Sequence, residues 1–208
     1  AIDWKRIPAL YEALSASDAP SSKLLQFILL TGVRSKSARM MRWADIEENA
    51  EGGAIWTIPA EDMKTRKGKG ADFAVPLSPE AVEILEAVAG LDSELCFPST
   101  HYREDGKGFK PMSDAAPRLA LQRIEGFETA TVHGFRATLR TWIQDQCPET
   151  SFEVAEAMLA HTVGSSVSRS YARSDFLKER RTLSEAWARH CAGKYSQNVH
   201  KAPWAIKA

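Results

Sequence analysis

In the first third of the chain, apolar positions recur at helical spacing. Ile7, Leu10 and Leu14 mark one stripe after Arg6-Ile7-Pro8, a start where proline is tolerated in the first turn. Pro20-Ser21-Ser22 opens a second helix, whose run Leu24–Leu30 is apolar enough to be buried, and Gly32 is its C-terminal signal. A short helix over Ser37–Arg42 is expected next. The period then changes. Ala54–Ile58 and Phe73–Leu77 are rich in β-branched and aromatic residues and predict two short strands, joined by a polar, basic loop. Ser78-Pro79-Glu80 puts a serine N-cap before a proline at the first helical position, with Val82, Leu85 and Val88 or Ala89 as the buried stripe. Beyond Pro98 the residues predict a polar loop holding Gly106 and Gly108. Helices are expected again over Ser113–Ile124, His133–Gln146, Phe152–Leu159, Ser165–Tyr171 and Asp175–His190, the last with Phe176, Leu183 and Trp187 on its apolar stripe. The tail, Gly193–Ala208, is polar and basic, with Trp204 and Ile206 as isolated anchors. The pattern predicts a mainly α domain carrying one small antiparallel β-sheet, an α+β fold, with no internal repeat.

Composition adds bounds. The 208 residues suffice for one domain with a substantial core. No apolar run approaches the roughly 20 residues that cross a bilayer, and the N-terminus lacks the pattern of a secretory signal. It also lacks a methionine, as a piece of a longer protein would. Cys96, Cys147 and Cys191 are far apart, with no C-x-x-C pair, and read as reduced thiols of a cytosolic protein.

Lys and Arg total 27 and so do Asp and Glu, so net charge does not announce a nucleic-acid partner. The distribution says more. Acids gather in Asp45–Glu51, Glu80–Glu94 and Glu149–Glu156. They are missing from Thr129–Gln144, which holds Arg136 and Arg140, and from Thr162–Arg173, which holds Arg169 and Arg173. Lys64–Lys69 packs four basic residues, Lys64, Arg66, Lys67 and Lys69, into six. Brought together by a fold, these stretches would make one positive face on a neutral body, enough to attract a phosphate backbone. Scattered solvated loops would account for the same charges equally well.

Three short segments hold candidate chemistry. His133-Gly134-Phe135-Arg136 spaces an imidazole and a guanidinium so that they share a helix face while Phe135 packs inward. Such a pair is poor for stability and useful for gripping an anion, but H-x-x-R alone is not specific. His161 follows an apolar helix end, and Tyr171 lies ten residues on in a stretch without acids. Arg34 stands just beyond a buried helix in Thr31-Gly32-Val33-Arg34. Singly, each is better explained as a structural or surface residue. Trp142 and Trp187 read as core rather than as base-stacking platforms, and His101, His190 and His200 lack metal-ligand spacing.

The order of these segments is more specific. TGVR (31–34), RWADIE (42–47), a lysine between two strands, HGFR, LAH and then a tyrosine together resemble the tyrosine recombinase (phage integrase) family. MKTRKGKGADFAVPLSPEA resembles the hairpin of the prophage-encoded bacterial integrases, and LAHTVGSSVSRSYARSDFLKERRTLSEAW resembles the stretch with their nucleophile and the helix after it. The resemblance covers about Pro20 to Trp187 and implies a recombinase catalytic-domain fold over residues 1–192, followed by a tail, 193–208, that exchanges between subunits. It also implies that the N-terminal DNA-clamping domains lie outside this chain, since nothing before Pro20 has room for them.

The resemblance further implies the roles. Arg34 and Arg136 would hold the non-bridging oxygens of the scissile phosphate, since guanidinium forks match phosphate geometry. Tyr171 would attack phosphorus to give a 3′-phosphotyrosyl link and a free 5′-hydroxyl. His133 would be the base, Lys64 the acid on the leaving oxygen, and His161 a hydrogen-bond donor to the phosphate. Arg66, Lys67, Lys69, Arg140, Arg169 and Arg173 would contact DNA. Neither metal nor cofactor is implied. The implied partners are double-stranded DNA attachment sites, a tetramer formed on DNA through the tail, and DNA-bending accessory proteins, all in a bacterial cytoplasm at the nucleoid. One position departs from the pattern: the family usually carries an acid three residues after the first arginine, where this chain has Ser37. A topoisomerase IB-like relaxation activity or a weakly catalytic DNA-binding regulator would share much of this pattern. Among the loop cations, only the hairpin alignment favours Lys64.

Overall fold

The computed structural model describes residues 1–49, 53–63, 71–161 and 176–194. Eight α-helices occur among them: α1 (Ile7–Ser15), α2 (Pro20–Thr31), α3 (Ser35–Arg39), α4 (Pro79–Val88), α5 (Ala115–Gln122), α6 (Gly134–Gln146), α7 (Phe152–Met158) and α8 (Leu177–Cys191). The strands are β1 (Ile46–Asn49), β2 (Gly53–Ile58), β3 (Phe73–Pro76), β4 (Pro98–Tyr102) and β5 (Phe109–Pro111).

Helix α2 is the hub. Leu24, Leu25, Phe27, Ile28, Leu29 and Leu30 are all fully buried, and α1, α3, α4, α5, α6 and α8 pack around it. A helix apolar on so many sides can be stable only where other elements cover it all round. Phe27 bridges to Trp56 of β2 and to Phe97, with ring centroids 5.8 and 5.4 Å apart. A second aromatic group joins α6 to α8, where Trp142 meets Trp187 at 5.2 Å and His190 stacks on Trp187 at 5.5 Å. Both tryptophans are core residues, as their stripes predict. Burial lowers the pKa of His190, opposed by its hydrogen bond with the Trp4 carbonyl.

Strands β1, β2 and β3 form an antiparallel meander in which Trp56 faces Ile46 on one side and Val75 on the other. The sheet is tied to α8 by Arg180, which donates to the Ala74 carbonyl and lies 4.4 Å from the Phe73 ring, and by Ser184 Oγ, which donates to the Pro76 carbonyl at 3.2 Å. On α4, Ser78 Oγ accepts from the Ala81 N–H at 3.2 Å, the N-cap its sequence calls for.

Several expectations need correcting. The segment after Pro98 is not a plain loop: β4 and β5 pair antiparallel, with Gly106 and Gly108 at positive φ in the turn and Tyr102 stacked on Phe109 at 4.4 Å. Strand β1, Ile-Glu-Glu-Asn, carries no apolar alternation and forms through its ladder with β2. The third helix runs from Ser35 to Arg39, earlier than expected, and a 3-10 turn, Trp43–Asp45, follows. On α4 the buried stripe is Ala81, Ile84, Leu85 and Val88, with Val82 only partly covered and Ala89 exposed. The helix expected over Ser165–Tyr171 and the tail from 195 onward lie outside the described residues.

All three cysteines are buried and unpaired. Burial foremost pushes all three thiols well above their ordinary range, so they stay protonated and pack as small apolar groups.

Candidate active site

Two chain reversals build the site. The first ends α2: Gly32 takes φ 64° and its N–H bonds back to the Ile28 carbonyl at 2.9 Å. A side chain here would be strained, and a Cβ would sit 2.6 Å from Leu139 Cδ2 on α6. The turn leads through Val33 to Arg34, the N-cap of α3. The second ends α7. The His161 N–H bonds to the Glu156 carbonyl and the Ala160 N–H to the Ala157 carbonyl, both at 3.1 Å, with Ala160 at φ 50°. This is a Schellman closure with alanine where glycine is usual.

Arg136, on the first turn of α6, lies between the two reversals and is 4% exposed. Nη1 donates to the Gly32 carbonyl at 2.6 Å, and Nη2 donates to the Leu159 carbonyl. Nη2 also lies 3.0 Å from His161 Nε2. Burial, then repulsion from Arg34, lower the Arg136 guanidinium to about 10, with Glu156 opposing, so it stays charged at neutral pH. A cavity of about 10 Å³, barely room for one water, is bounded by Arg34, Ser37, Met63, Phe73, Arg136 and Ala160.

The network continues outward. His161 Nδ1 lies 2.8 Å from Glu156 Oε2, and Arg140 Nε donates to Glu156 Oε1 at 2.9 Å. Burial would raise the Glu156 carboxyl, but the hydrogen bonds from Arg140 and His161 outweigh it and hold the group below its ordinary value. Ser37 is buried, and its Oγ lies 3.4 Å from the Asp62 carbonyl oxygen.

Of the sequence candidates, the fold brings Arg34, Arg136 and His161 together. His133 is the N-cap residue of α6, with an exposed side chain. Arg140 is engaged by Glu156 and lies 5.6 Å from the Phe152 ring. Lys64, Arg66, Lys67, Lys69, Arg169, Tyr171 and Arg173 lie outside the described residues. Met63, next to Lys64, does line the arginine cavity. Glu156 was missed by sequence reasoning, which saw it only as the end of an acidic run. Its position five residues before His161 was the available hint, and it becomes informative only once α7 is known to end between them. Among the described residues, no cluster of His, Cys, Asp and Glu could hold a metal ion.

A buried arginine held by two reversals, with a histidine at its side and a second arginine on the same small cavity, thus sits on a helical domain with a small sheet. The phage integrase family matches this chain over residues 1–178, and the chain belongs to that family. It is 34% identical over 187 residues to the prophage integrase IntA of Escherichia coli K12, covering 88% of this chain and 42% of that protein. It is 32% identical over 191 residues to the integrase of Shigella phage Sf6, covering 88% of this chain and 45% of the phage protein. The chain thus spans less than half the length of these relatives. The fold is also similar to that of the XerH site-specific recombinase, solved bound to its difH substrate in a pre-cleavage complex. That match has a TM-score of 0.56 and 15% identity, and covers 83% of this chain and 52% of the other.

Proposed function

We propose that this chain carries the catalytic centre of a site-specific DNA recombinase that integrates or excises a prophage or related mobile element. The observation that carries the reading is Arg136: a charged side chain buried between the Gly32 and Leu159 carbonyls, next to His161 and sharing a cavity with Arg34. Burying a cation beside a second cation costs stability, and that cost is understandable where the pair must bind an anion.

In this reading Arg34 and Arg136 hold the non-bridging oxygens of one DNA phosphate and stabilise the charge that grows as phosphorus becomes pentacovalent. His161 donates to the same phosphate. Tyr171 attacks phosphorus, His133 accepts the phenol proton, and Lys64 protonates the leaving 5′-oxygen. The phosphotyrosyl bond retains the energy of the broken diester, so attack by the 5′-hydroxyl of another strand rejoins DNA without ATP. Arg66, Lys67, Lys69, Arg169 and Arg173 contact the backbone, and Arg140 contributes where Glu156 leaves it free. The work is done in the bacterial cytoplasm at the nucleoid, with DNA-bending proteins assisting and without a resident metal.

The active assembly in this reading is a tetramer on DNA, joined by the tails. Support comes from Lys194, whose Nζ lies 3.7 Å from Glu80 Oε1 and which starts a tail with no acids. On the same helix as Glu80, Val82, Glu83 and Glu86 line a groove of about 530 Å³ together with Glu48 and Glu185. Its four carboxylates outnumber the one lining cation, Arg181, and complement the basic tail of a neighbouring copy.

The test is a pool of nicked duplexes of random sequence, in which a cleaved strand loses its 5′-hydroxyl fragment and stays attached to the protein. A denaturation-resistant adduct is expected, abolished by Tyr171→Phe and unaffected by EDTA. Absence of any adduct from the wild-type protein overturns the proposal. So does an adduct that persists in Tyr171→Phe.

A further inference from the structure

The contacts of His161 fix where its proton sits. Arg136 Nη2 lies 3.0 Å from His161 Nε2, and a guanidinium has hydrogens to donate and no lone pair to accept with. Nε2 must therefore be the acceptor of that bond. On the other side of the ring, Nδ1 lies 2.8 Å from Glu156 Oε2, and a carboxylate held ionised by its neighbours only accepts. Nδ1 must therefore carry the proton. One arrangement satisfies both contacts: a neutral ring protonated on Nδ1, donating to Glu156 and accepting from Arg136.

That arrangement has the wrong polarity for holding a phosphate, whose oxygens only accept. To donate from Nε2, the ring must carry a proton there. It cannot obtain one by moving the Nδ1 proton across, because the bare Nδ1 lone pair would then face the Glu156 carboxylate. Two contacts hold Glu156 opposite the ring. Its Oε1 accepts from Arg140 Nε at 2.9 Å, and the main-chain carbonyl of Glu156 accepts from the His161 N–H at 3.1 Å, which fixes the two residues' backbones relative to each other. Among the described residues, the charged groups touching the ring are Glu156 on α7 and Arg136 on α6; behind them stand Arg140 on α6, bonded to Glu156, and Arg34 ahead of α3, whose charge acts on Arg136.

We propose that Glu156 is a positioning residue for phosphate capture: it holds His161 as the Nδ1–H tautomer in the free protein and makes the ring take up one proton on Nε2 when it binds a DNA phosphate. The inference rests on His161 being a phosphate ligand, as proposed above. The proton comes from solvent, the ring becomes an imidazolium, and the phosphate oxygen replaces Arg136 as the partner of Nε2. Glu156 then stabilises the positive ring from the far side, in the manner of a carboxylate behind a ligand histidine. Phosphate binding at this ring consequently weakens as pH rises.

Glu156→Gln separates the tautomer from the fold. Arg140 Nε still requires an oxygen, so the amide oxygen stays on its side and the amide nitrogen faces His161. An N–H at that place donates to Nδ1 and competes with the Arg136 contact at Nε2. The Nδ1–H tautomer thereby loses its acceptor and the ring shifts toward the neutral Nε2–H form, with Arg136 Nη2 keeping its bond to the Leu159 carbonyl. The variant can then bind phosphate without taking up a proton.

The experiment uses protein labelled with 15N in its five histidines. His161→Asn identifies the ring signals, and Glu156→Gln is checked for native folding by circular dichroism. The expected result is an Nδ1–H tautomer for His161 in the free wild-type protein and an Nε2–H tautomer in Glu156→Gln. Calorimetry with short duplex DNA of random sequence, repeated in buffers of different ionisation enthalpy, should then show uptake of about one proton more for wild type than for Glu156→Gln. An Nε2–H tautomer in the free wild type overturns the proposal, as does an unchanged tautomer in the variant or equal proton uptake by the two proteins. The tautomer measurement needs neither DNA nor Tyr171. If it succeeds while no covalent adduct forms, the recombinase reading fails and the positioning of His161 by Glu156 stands.

Discussion

The two reversals that hold Arg136 perform the same task under different constraints. Each offers a backbone carbonyl, that of Gly32 or of Leu159, to the same guanidinium. At Gly32 the left-handed backbone is unstrained, and the limit is space, because α6 approaches so closely that Leu139 occupies the place of a side chain. At Ala160 there is a Cβ, and the left-handed conformation carries a backbone cost of about 1–2 kcal/mol. Packing governs one turn and local strain the other. The strained turn is the one that delivers a polar side chain, His161, which fits the tendency of strain to persist where surrounding contacts over-determine a functional geometry.

The largest effect should come from removing what both turns share. Arg136→Met keeps most of the buried volume but leaves both carbonyls without their donor. Each unmet buried acceptor costs roughly 1–3 kcal/mol, part of which is offset by removing a buried cation that Arg34 repels, so unfolding in urea should show a net loss of about 2–4 kcal/mol. Adduct formation should fall by at least about 10²-fold, the scale for losing a donor to transition-state charge. A stable and active Arg136→Met protein would break the comparison at its centre.

Gly32→Ala should come next, with a loss of about 2–3 kcal/mol from a left-handed alanine and an overpacked contact with Leu139. Adding Leu139→Ala should recover the steric part and leave the backbone part. If the double variant is no more stable than expected from adding the two single losses, space is not what limits this turn.

A smaller effect is expected from acid. The hydrogen bonds from Arg140 and His161 depress the Glu156 carboxyl despite its burial. Its folded value is therefore below the unfolded one of about 4.3, so its stabilisation is complete above that pH and is lost as pH falls through the lower folded value. Glu156→Gln removes this dependence. The stability difference between wild type and variant should shrink below about pH 4, and a difference that stays constant there would argue against the depressed carboxyl.

The smallest effect is Ala160→Gly. It relieves the left-handed strain but adds freedom to the unfolded chain worth about 0.4–1 kcal/mol, so stability should rise by no more than about 1 kcal/mol. A clear loss of stability would mean that Ala160 is not strained. A fall in adduct yield without a loss of stability would show that the stiff turn serves to aim His161.

Much of the helical framework was legible because its signals are local. Gly32 and Ser78 mark helix boundaries by their own chemistry, and α2 announces its burial through consecutive apolar residues. Strand β1 and the β4–β5 pair were not legible. A strand such as Ile-Glu-Glu-Asn is stabilised by hydrogen bonds to a partner strand rather than by any periodicity of its own. For the site, the order of Arg34, His133, Arg136, His161 and Tyr171 supplied the family resemblance, while the support around it stayed hidden. Ser37 stands where the family usually has an acid. The carboxylate found in the site network is that of Glu156 from α7, far away in the chain.

Taken alone, the sequence determined a mainly helical domain of the phage integrase type and named Arg34, Arg136 and His161 as companions, because residue order and local spacing are properties of the chain itself. The tertiary structure decided that Arg136 is buried between carbonyls 104 and 23 residues away and that Glu156 links His161 to Arg140. Those contacts depend on where two helices end and how closely α6 approaches them, which is settled only when the core packs.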